Sequence, residues 1–398
     1  MAEPVAERLR AQLLTGPPAR EPVAVAERLL AVQAQDPRGA RLAIRARTAG
    51  VTAADVDRCL TDERSLLITT LNRGTLHLVR SQDYPWLQAL TTPPLASGNA
   101  RRLAQEGVPP DDAERAVAIV ERALADDGPL TRAELRERIA AAGIETAGQA
   151  FVHIAMLASL RGLVVRGPMA GRQHAFVLVR DWLGEQPAVD RDAALAELAR
   201  RYLAGHGPAD ERDLARWAGL PLRDARAGLT AIAGELAERD DGLVALAKPR
   251  AEAARGEASG TARGGASGTG RGGALRGTRA TATRAARGPA PSATRGPTPS
   301  AARAAGDETP PPRLLGAFEP LLLGWHSREA WLGARGEPAV VSGGMFRPFA
   351  MVRGRAVATW RLRAGAVEIE PFARIARADR DLLDQDARAV VRYLGPAR

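Results

Sequence analysis

The sequence predicts an α+β protein made of tandem winged-helix (helix-turn-helix) domains followed by a small C-terminal β-barrel or half-barrel. Two patterns predict this fold class. Groups of amphipathic helices followed by short apolar strands recur through the first 250 residues. After residue 313, short β-like runs bounded by Gly, Pro or Arg-Gly become dominant. The length of 398 residues leaves room for several domains with cores of their own.

The first predicted domain, residues 1–108, opens with helices. Helices are indicated over Val23–Val32 and Pro37–Arg47, and Asp36 is the expected N-cap of the second one. A proline suits the first helical position because the backbone N–H that it lacks would be unpaired there. A capping box at Thr52 begins a further short helix.

Near the end of this domain, the spacing of apolar residues changes from that of a helix to that of a strand. Polar and apolar residues alternate over Arg73–Val79, which predicts a half-buried strand with Arg73, Thr75 and His77 on one face. Helices followed by a strand are the order of a winged helix. The three polar side chains either line a binding surface or only brace the strand, and the pattern leaves both interpretations open.

The same order of elements recurs over residues 109–187 and 188–250, the second and third predicted winged-helix domains. The strings DDGPLTRAEL and GHGPADERDL occupy corresponding places, and each leads into a short helix. A predicted β-hairpin follows the third helix of the second domain, where a wing follows a recognition helix. Arg161, Arg166 and Arg172 near this hairpin are candidates for phosphate contacts, although exposed arginines are common in such an arginine-rich chain.

The composition changes twice in the last third of the chain. Residues 251–312 form an insertion rich in Arg, Gly and Ala with few large apolar side chains, and such a composition predicts disorder. Residues 313–398 form the expected β-barrel-like domain. Its predicted strands include Leu321–Trp325 and Phe349–Val352, and a helix closes the chain.

Charge and cysteine content limit the function classes. A net charge of +10 suits an anionic partner such as nucleic acid. Residues 251–310 carry nine Arg against four acidic residues, so half of this charge lies in the insertion. The single cysteine, Cys59, excludes an intramolecular disulfide and predicts a small buried apolar residue. The N-terminal residues show neither a signal peptide nor a membrane span, so we expect a cytoplasmic, nucleoid-associated monomer.

The segment Gln33-Ala34-Gln35 lies between two predicted helices. Residues two apart point to the same side of an extended segment, so both amides can face one place just before a helix N-terminus. There they would hold a water, a phosphate or a base edge. By spacing alone, two solvent-exposed glutamines that fill a turn are the commoner case.

Five segments together resemble the AlkZ-like family of bacterial winged-helix DNA glycosylases. They are VQAQDPRGARLAIRAR, NRGTLHLV, GRQHAFVLVRDWL and the C-terminal pair LLGAFEPLLLGW and GGMFRPFAMVRGRAVATW. The resemblance covers nearly the whole chain apart from the insertion. It implies tandem winged helices, a C-terminal β-barrel and a catalytic motif of two glutamines around an apolar residue, which matches Gln33 and Gln35 here.

The resemblance also implies an activity, namely hydrolysis of the N-glycosidic bond of N7-alkylated purines in double-stranded DNA by a monofunctional DNA repair glycosylase. Some family members unhook interstrand crosslinks. As a hypothesis, we assign Gln35 to the water and Gln33 either to orienting that water or to contacting the nucleotide. We expect Arg38, Arg41, Arg73, Thr75 and His77 to contact DNA.

No cofactor or metal is expected, since the five histidines lack the spacing of metal ligands. Two alternatives remain open at this point. One is a non-enzymatic winged-helix DNA-binding protein or transcription regulator, because fold alone does not determine function. The other is a family member that binds lesions without cleaving the glycosidic bond.

Overall fold

The N-terminal half of the protein is organised by a five-stranded antiparallel sheet with strand order β1-β3-β2-β4-β5. The computed structural model describes residues 3–171, 173–247 and 309–395. Its helices are α1 (Glu3–Ala11), α2 (Pro22–Leu29), α3 (Pro37–Arg45), α4 (Ala53–Thr61), α5 (Tyr84–Thr91), α6 (Ala96–Gln105), α7 (Pro110–Asp127), α8 (Arg132–Ala141), α9 (Ala150–Leu160), α10 (Val179–Leu183), α11 (Arg191–His206), α12 (Glu211–Ala218), α13 (Leu222–Ala231), α14 (Pro320–Leu323), α15 (Glu329–Val340) and α16 (Arg377–Leu394). Its strands are β1 (Val32–Gln33), β2 (Leu66–Leu71), β3 (Thr75–Arg80), β4 (Val164–Ala170), β5 (Gln173–Leu178), β6 (Leu236–Glu238), β7 (Val244–Leu246), β8 (Arg313–Leu315), β9 (Val341–Ser342), β10 (Met345–Phe346), β11 (Phe349–Val352), β12 (Arg355–Arg363) and β13 (Ala366–Pro371).

The predicted helix starts are confirmed by their caps. The Asp36 carboxylate accepts hydrogen bonds from the backbone N–H groups of Arg38 and Gly39, at 2.8 and 2.9 Å. Thr52 forms the expected capping box at the start of α4. Thr131 forms another at the start of α8. Caps that are predicted from the sequence also form in the folded protein, because each cap pairs backbone N–H groups that have no carbonyl partner within the helix.

The β2–β3 hairpin corrects one prediction. The three residues Asn72–Gly74 form its turn, with φ of +56° at Arg73 and +77° at Gly74. Arg73 therefore lies in the turn and not on the strand face shared by Thr75 and His77. Strand β2 itself was not predicted, because a continuous apolar run that is buried throughout lacks the alternation of a half-buried strand.

Strands β4 and β5 complete the same sheet, so the first two predicted domains share it. Strand β4 joins β2 through the single residue pair Ile68–Arg166. Helix α9 packs against both strands and carries the chain into β4. The domain boundaries remain predictions.

The two faces of the sheet belong to different cores. Leu67, Leu71 and Val79 pack into a cluster that extends to α5, α11 and the C-terminal region. Their strand neighbours Ile68 and Leu78 pack with α2, α3 and α4. A sheet buried on both faces leaves little room for polar side chains, so each one found there needs an explanation.

The C-terminal strands form an open antiparallel sheet of order β13-β12-β11-β8 in the described part of the chain, and no closed barrel is found there. The predicted strand over Leu321–Trp325 was wrong, because residues 320–323 form α14. Pro320 suits the first turn, and the Glu319 carboxylate caps the backbone N–H of Leu321 at 3.3 Å. The predicted strand over Phe349–Val352 is confirmed as β11.

Two further expectations concern the composition. The predicted disordered insertion, apart from its last few residues, lies outside the described residues. Cys59 is buried, as predicted. No helix in the described ranges is both long and apolar enough to cross a membrane.

Candidate active site

Gln33 is buried in the sheet instead of being exposed in a turn. It ends the edge strand β1, where it pairs with His77 of β3, and only 6% of its surface is accessible. Within the described ranges its side-chain amide has no hydrogen-bond partner. A buried amide is normally paired, so this group is available to a water or to a ligand.

Gln35 lies just beyond the end of β1 and is exposed. Its Oε1 atom accepts a hydrogen bond from the backbone N–H of Leu76, at 3.0 Å. This bond orients the amide, since it directs the oxygen towards the sheet and leaves the Nε2 donors without a partner among the described residues. One lone pair of Oε1 also remains for a water.

A polar row crosses the sheet beside these glutamines. Gln33, His77 and Thr69 occupy adjacent positions on β1, β3 and β2. The Nδ1 atom of His77 lies 2.9 Å from the carbonyl oxygen of Thr75. Burial, with a smaller contribution from the charge of Arg73, lowers the pKa of His77 to about 3, so the imidazole is neutral at physiological pH.

Gln35 also borders a small cavity between the sheet and α9. The cavity volume is about 70 Å³, and its lining includes Thr69, Ser159 and Arg166. The hydroxyls of Thr69 and Ser159 lie 3.0 Å apart, and the Ser159 Oγ atom also accepts from the backbone N–H of Thr70 at 3.3 Å. A space of this size, lined by apolar side chains as well as these hydroxyls, fits a few water molecules, whereas ligand pockets usually measure about 300 Å³ or more.

Comparison with known proteins decides the family. The family model for "DNA glycosylase AlkZ-like" matches residues 26–393, which is most of the chain. The chain belongs to the AlkZ-like DNA glycosylase family. It is similar in structure to the Streptomyces sahachiroi DNA glycosylase AlkZ, with a TM-score of 0.68, 23% identity, and coverage of 98% of this chain and 95% of that one. The curated proteins contain no significant match.

Family membership confirms the resemblance drawn from the five sequence segments, and it makes a DNA repair glycosylase the function class of this chain. The structural likeness is too distant in sequence to add more than the fold. It does not test the roles of individual residues. The remaining expected site residues of this AlkZ-like protein are therefore assessed from their own contacts in the structure.

Two of the arginines expected to contact DNA bond within the protein. Arg41 is 7% exposed, and its guanidinium pairs with Asp57 and donates to the carbonyl oxygen of Pro37 at 2.9 Å. The guanidinium of Arg73 donates to the carbonyl oxygen of Trp217 at the end of α12. Both contacts satisfy a cation with groups of the same chain.

Arg38 and Thr75 remain more accessible. Arg38 is exposed in the first turn of α3, directly after the Asp36 cap. Thr75 is partly buried, and its hydroxyl donates to the carbonyl oxygen of Asn72 at 3.3 Å. Of the expected DNA contacts, Arg38 is the one whose charge stands beside the glutamines without a partner among the described residues.

Sequence reasoning missed Thr69 and Ser159 and left Arg166 undecided among three candidates for phosphate contacts. The structure separates those three. Arg161 is paired with Glu114, Arg166 lines the cavity, and Arg172 lies outside the described residues. The signal for Arg166 was its place in a predicted hairpin, but only the pairing of β4 with β2 brings it beside the site of Gln35.

Proposed function

We propose that this chain hydrolyses the N-glycosidic bond of N7-alkylated purines in duplex DNA, with Gln33 and Gln35 as its catalytic residues. The observation that carries the proposal is the orientation of the Gln35 amide. The backbone N–H of Leu76 holds the Gln35 amide oxygen, the Gln35 amide donors stay unpaired among the described residues, and Gln33 lies two residues earlier in the same short segment. Two oriented neutral amides suit the positioning of a water.

The chemistry of the lesion explains why neutral residues suffice. A guanine alkylated at N7 is cationic, so the bond between its N9 and C1′ of the sugar breaks without protonation of the base. The bonding electrons leave with the base, which becomes neutral, and the sugar takes on oxocarbenium character. The Gln35 oxygen accepts a hydrogen bond from a water that attacks C1′, and the water's proton passes to solvent.

The small cavity favours a lesion that stays in the groove. Glycosylases usually extrude the target base into a pocket that encloses it. The cavity beside Gln35 has a volume of only about 70 Å³ and is too small for an alkylated purine. An exposed site at the end of a strand accommodates bulky adducts, and the same exposure is compatible with unhooking of interstrand crosslinks.

We further propose that tandem winged helices hold the duplex against this site. Helices α7–α9 with the β4–β5 hairpin have the order of one winged helix, and α11–α13 with β6–β7 have the order of another. Arg38 and Thr75 then contact the DNA nearest the glutamines. The internal bonds of Arg41 and Arg73, and the burial of His77, make these three residues supports of the site in our proposal.

Incubation of the protein with a duplex that carries one N7-methylguanine tests the function. Alkaline cleavage of the resulting abasic site should give strand scission with the wild type. With Gln35→Ala we expect a loss of about a hundredfold or more, the magnitude typical when one oriented amide is removed. Gln35→Glu is a second variant, because it retains the acceptor oxygens and adds a charge.

The matched control is Gln149→Ala, which removes an exposed glutamine just before another helix, α9. It should release the base at the wild-type rate. Intact binding without scission, on this lesion and on a bulkier N7 adduct, would support a DNA-binding protein or regulator instead. Scission followed by cleavage at the abasic site without alkali would contradict the monofunctional assignment.

A further inference from the structure

Arg166 is a partly buried cation without an anionic partner. It lies on β4, opposite Ile68 of β2 and Phe176 of β5, and lines the cavity that Gln35 borders. Across the described ranges its guanidinium has no hydrogen bond and no carboxylate in reach. The guanidinium lies over the face of Phe176, with 4.6 Å from its central carbon to the ring centroid.

A second arginine, Arg132, also lies over an aromatic ring and has no carboxylate partner among the described residues. Arg132, at the start of α8, is exposed and lies over the ring of Phe151, 5.4 Å from the centroid. The rings of Phe151 and Phe176 meet edge to face at 6.3 Å, so the two arginines rest on neighbouring rings. The described residues offer Arg132 no hydrogen bond or carboxylate either.

The two charges are close enough to disfavour one another. Burial, with a smaller contribution from the positive charge of Arg132, lowers the pKa of Arg166 to about 10. Most other arginines near the site have a partner, such as Asp57 for Arg41 and Glu114 for Arg161. Two neighbouring cations on aromatic supports, both unpaired and one of them partly buried, are suited to bind an anion that bridges them.

We infer that Arg166 and Arg132 together bind one backbone phosphate of the substrate DNA, at the mouth of the cavity beside Gln35. This inference rests on the proposed action on duplex DNA and assigns two positioning residues to it. The bound phosphate holds the strand at a set distance from Gln35, which presents the glycosidic bond to the catalytic amides. Phosphate contacts of this kind set the register of a protein on a duplex and carry no sequence information.

Single methylphosphonates test the contact, because each replaces one charged phosphate oxygen by a methyl group. We would place one at each phosphate within three nucleotides of the lesion, on both strands, and measure the dissociation constant. One position should weaken the wild type about tenfold. Arg166→Gln should weaken the unmodified duplex by a similar factor and reduce the slope of log affinity against log salt concentration by about 0.9.

The decisive result is the coupling between the two changes. At the critical phosphate, the methylphosphonate should not weaken Arg166→Gln or Arg132→Gln any further. Equal losses in wild type and variants at every position would overturn the inference. Arg166→Lys keeps the charge and a similar length, so it should retain part of the affinity, and it provides the measurement if Arg166→Gln does not fold.

Arg180→Gln is the charge-matched control. Arg180 is exposed in α10, close to the same hairpin, but it is already paired with Glu121. This variant should change affinity little, and an effect equal to that of Arg166→Gln would point to general electrostatics only. This assay measures binding, so it tests the phosphate contact whether or not the wild type releases the base. A wild type that binds the duplex but releases no base would contradict the proposed function and leave the phosphate contact testable.

Discussion

Two regions of this protein differ in whether their buried polar side chains have hydrogen-bond partners. At the junction with the C-terminal region, Arg47 is fully buried, and its three nitrogens all donate: Nε to the Gln12 carbonyl oxygen at 2.8 Å, Nη1 to the Ala43 carbonyl oxygen at 2.9 Å, and Nη2 to Glu319 at 2.5 Å. In the five-stranded sheet, Gln33 on the edge strand β1 and Arg166 on β4 lack such partners within the described ranges. The hydrogen bonds of Arg47 stabilise the fold, whereas the side chains of Gln33 and Arg166 remain available to a substrate.

Breaking the junction should have the largest effect on stability. Glu319→Ala leaves the guanidinium of Arg47 buried without its carboxylate, which typically costs about 3–5 kcal/mol. We expect a matching fall in the free energy of unfolding in a urea titration. A double variant, Arg47→Met with Glu319→Leu, should recover most of it, because apolar pairs of similar size replace buried ion pairs well. A loss below about 1 kcal/mol in Glu319→Ala would contradict this account.

The opposite behaviour is expected at the sheet edge. Gln33→Leu removes a buried amide that has no partner in the described structure, so stability should stay the same or rise. Base release should fall by about a hundredfold, the usual cost of losing one oriented amide. Urea titration and single-turnover assays of N7-methylguanine release measure the two quantities. Lost stability with retained activity would show that Gln33 belongs with the structural groups.

Two histidines extend the comparison to pH. Burial lowers the pKa of both His77, beside Gln33, and His206, near the junction, to about 3. The unfolded chain binds protons at these sites below about pH 6.5, and the folded chain does so only near pH 3. Stability should therefore fall as the pH drops from about 6.5 towards 3, by up to about 1.4 kcal/mol per unit and histidine.

Unfolding free energies measured between pH 4.5 and 7 check this dependence. His206→Asn should flatten the curve, since it removes a group that is protonated only in the unfolded chain. His77→Asn should flatten it similarly and also lower base release through the position of Gln33. An unchanged slope in both variants would exclude these histidines as its cause.

The smallest effects are expected at the helix caps. Asp36→Ala and Thr52→Ala should each lower the free energy of unfolding by about 1 kcal/mol, because each leaves backbone donors unpaired at a helix start. Only Asp36 directly follows Gln35, so only its variant should also slow base release. Equal base-release rates for the two variants would mean that the position of α3 does not set the geometry of Gln35.

Local signals predicted much of the secondary structure. The short helix predicted at GHGPADERDL is α12, Glu211–Ala218, and the Asp36 cap was read directly from the sequence. These features depend on neighbours within four residues, so the sequence contains their cause. The run over Leu321–Trp325 failed as a strand, because apolar content alone does not distinguish a short buried helix from a strand.

The sequence by itself determined the two glutamines, the helix that follows them and the family to which they point. Tertiary structure decided which polar groups surround them. The pairing of β1 with β3 buries Gln33 beside His77, and the pairing of β4 with β2 brings Arg166 to the cavity of Gln35. The first pairing joins residues 44 positions apart and the second joins residues 98 positions apart. No local propensity encodes which partner a strand edge will meet.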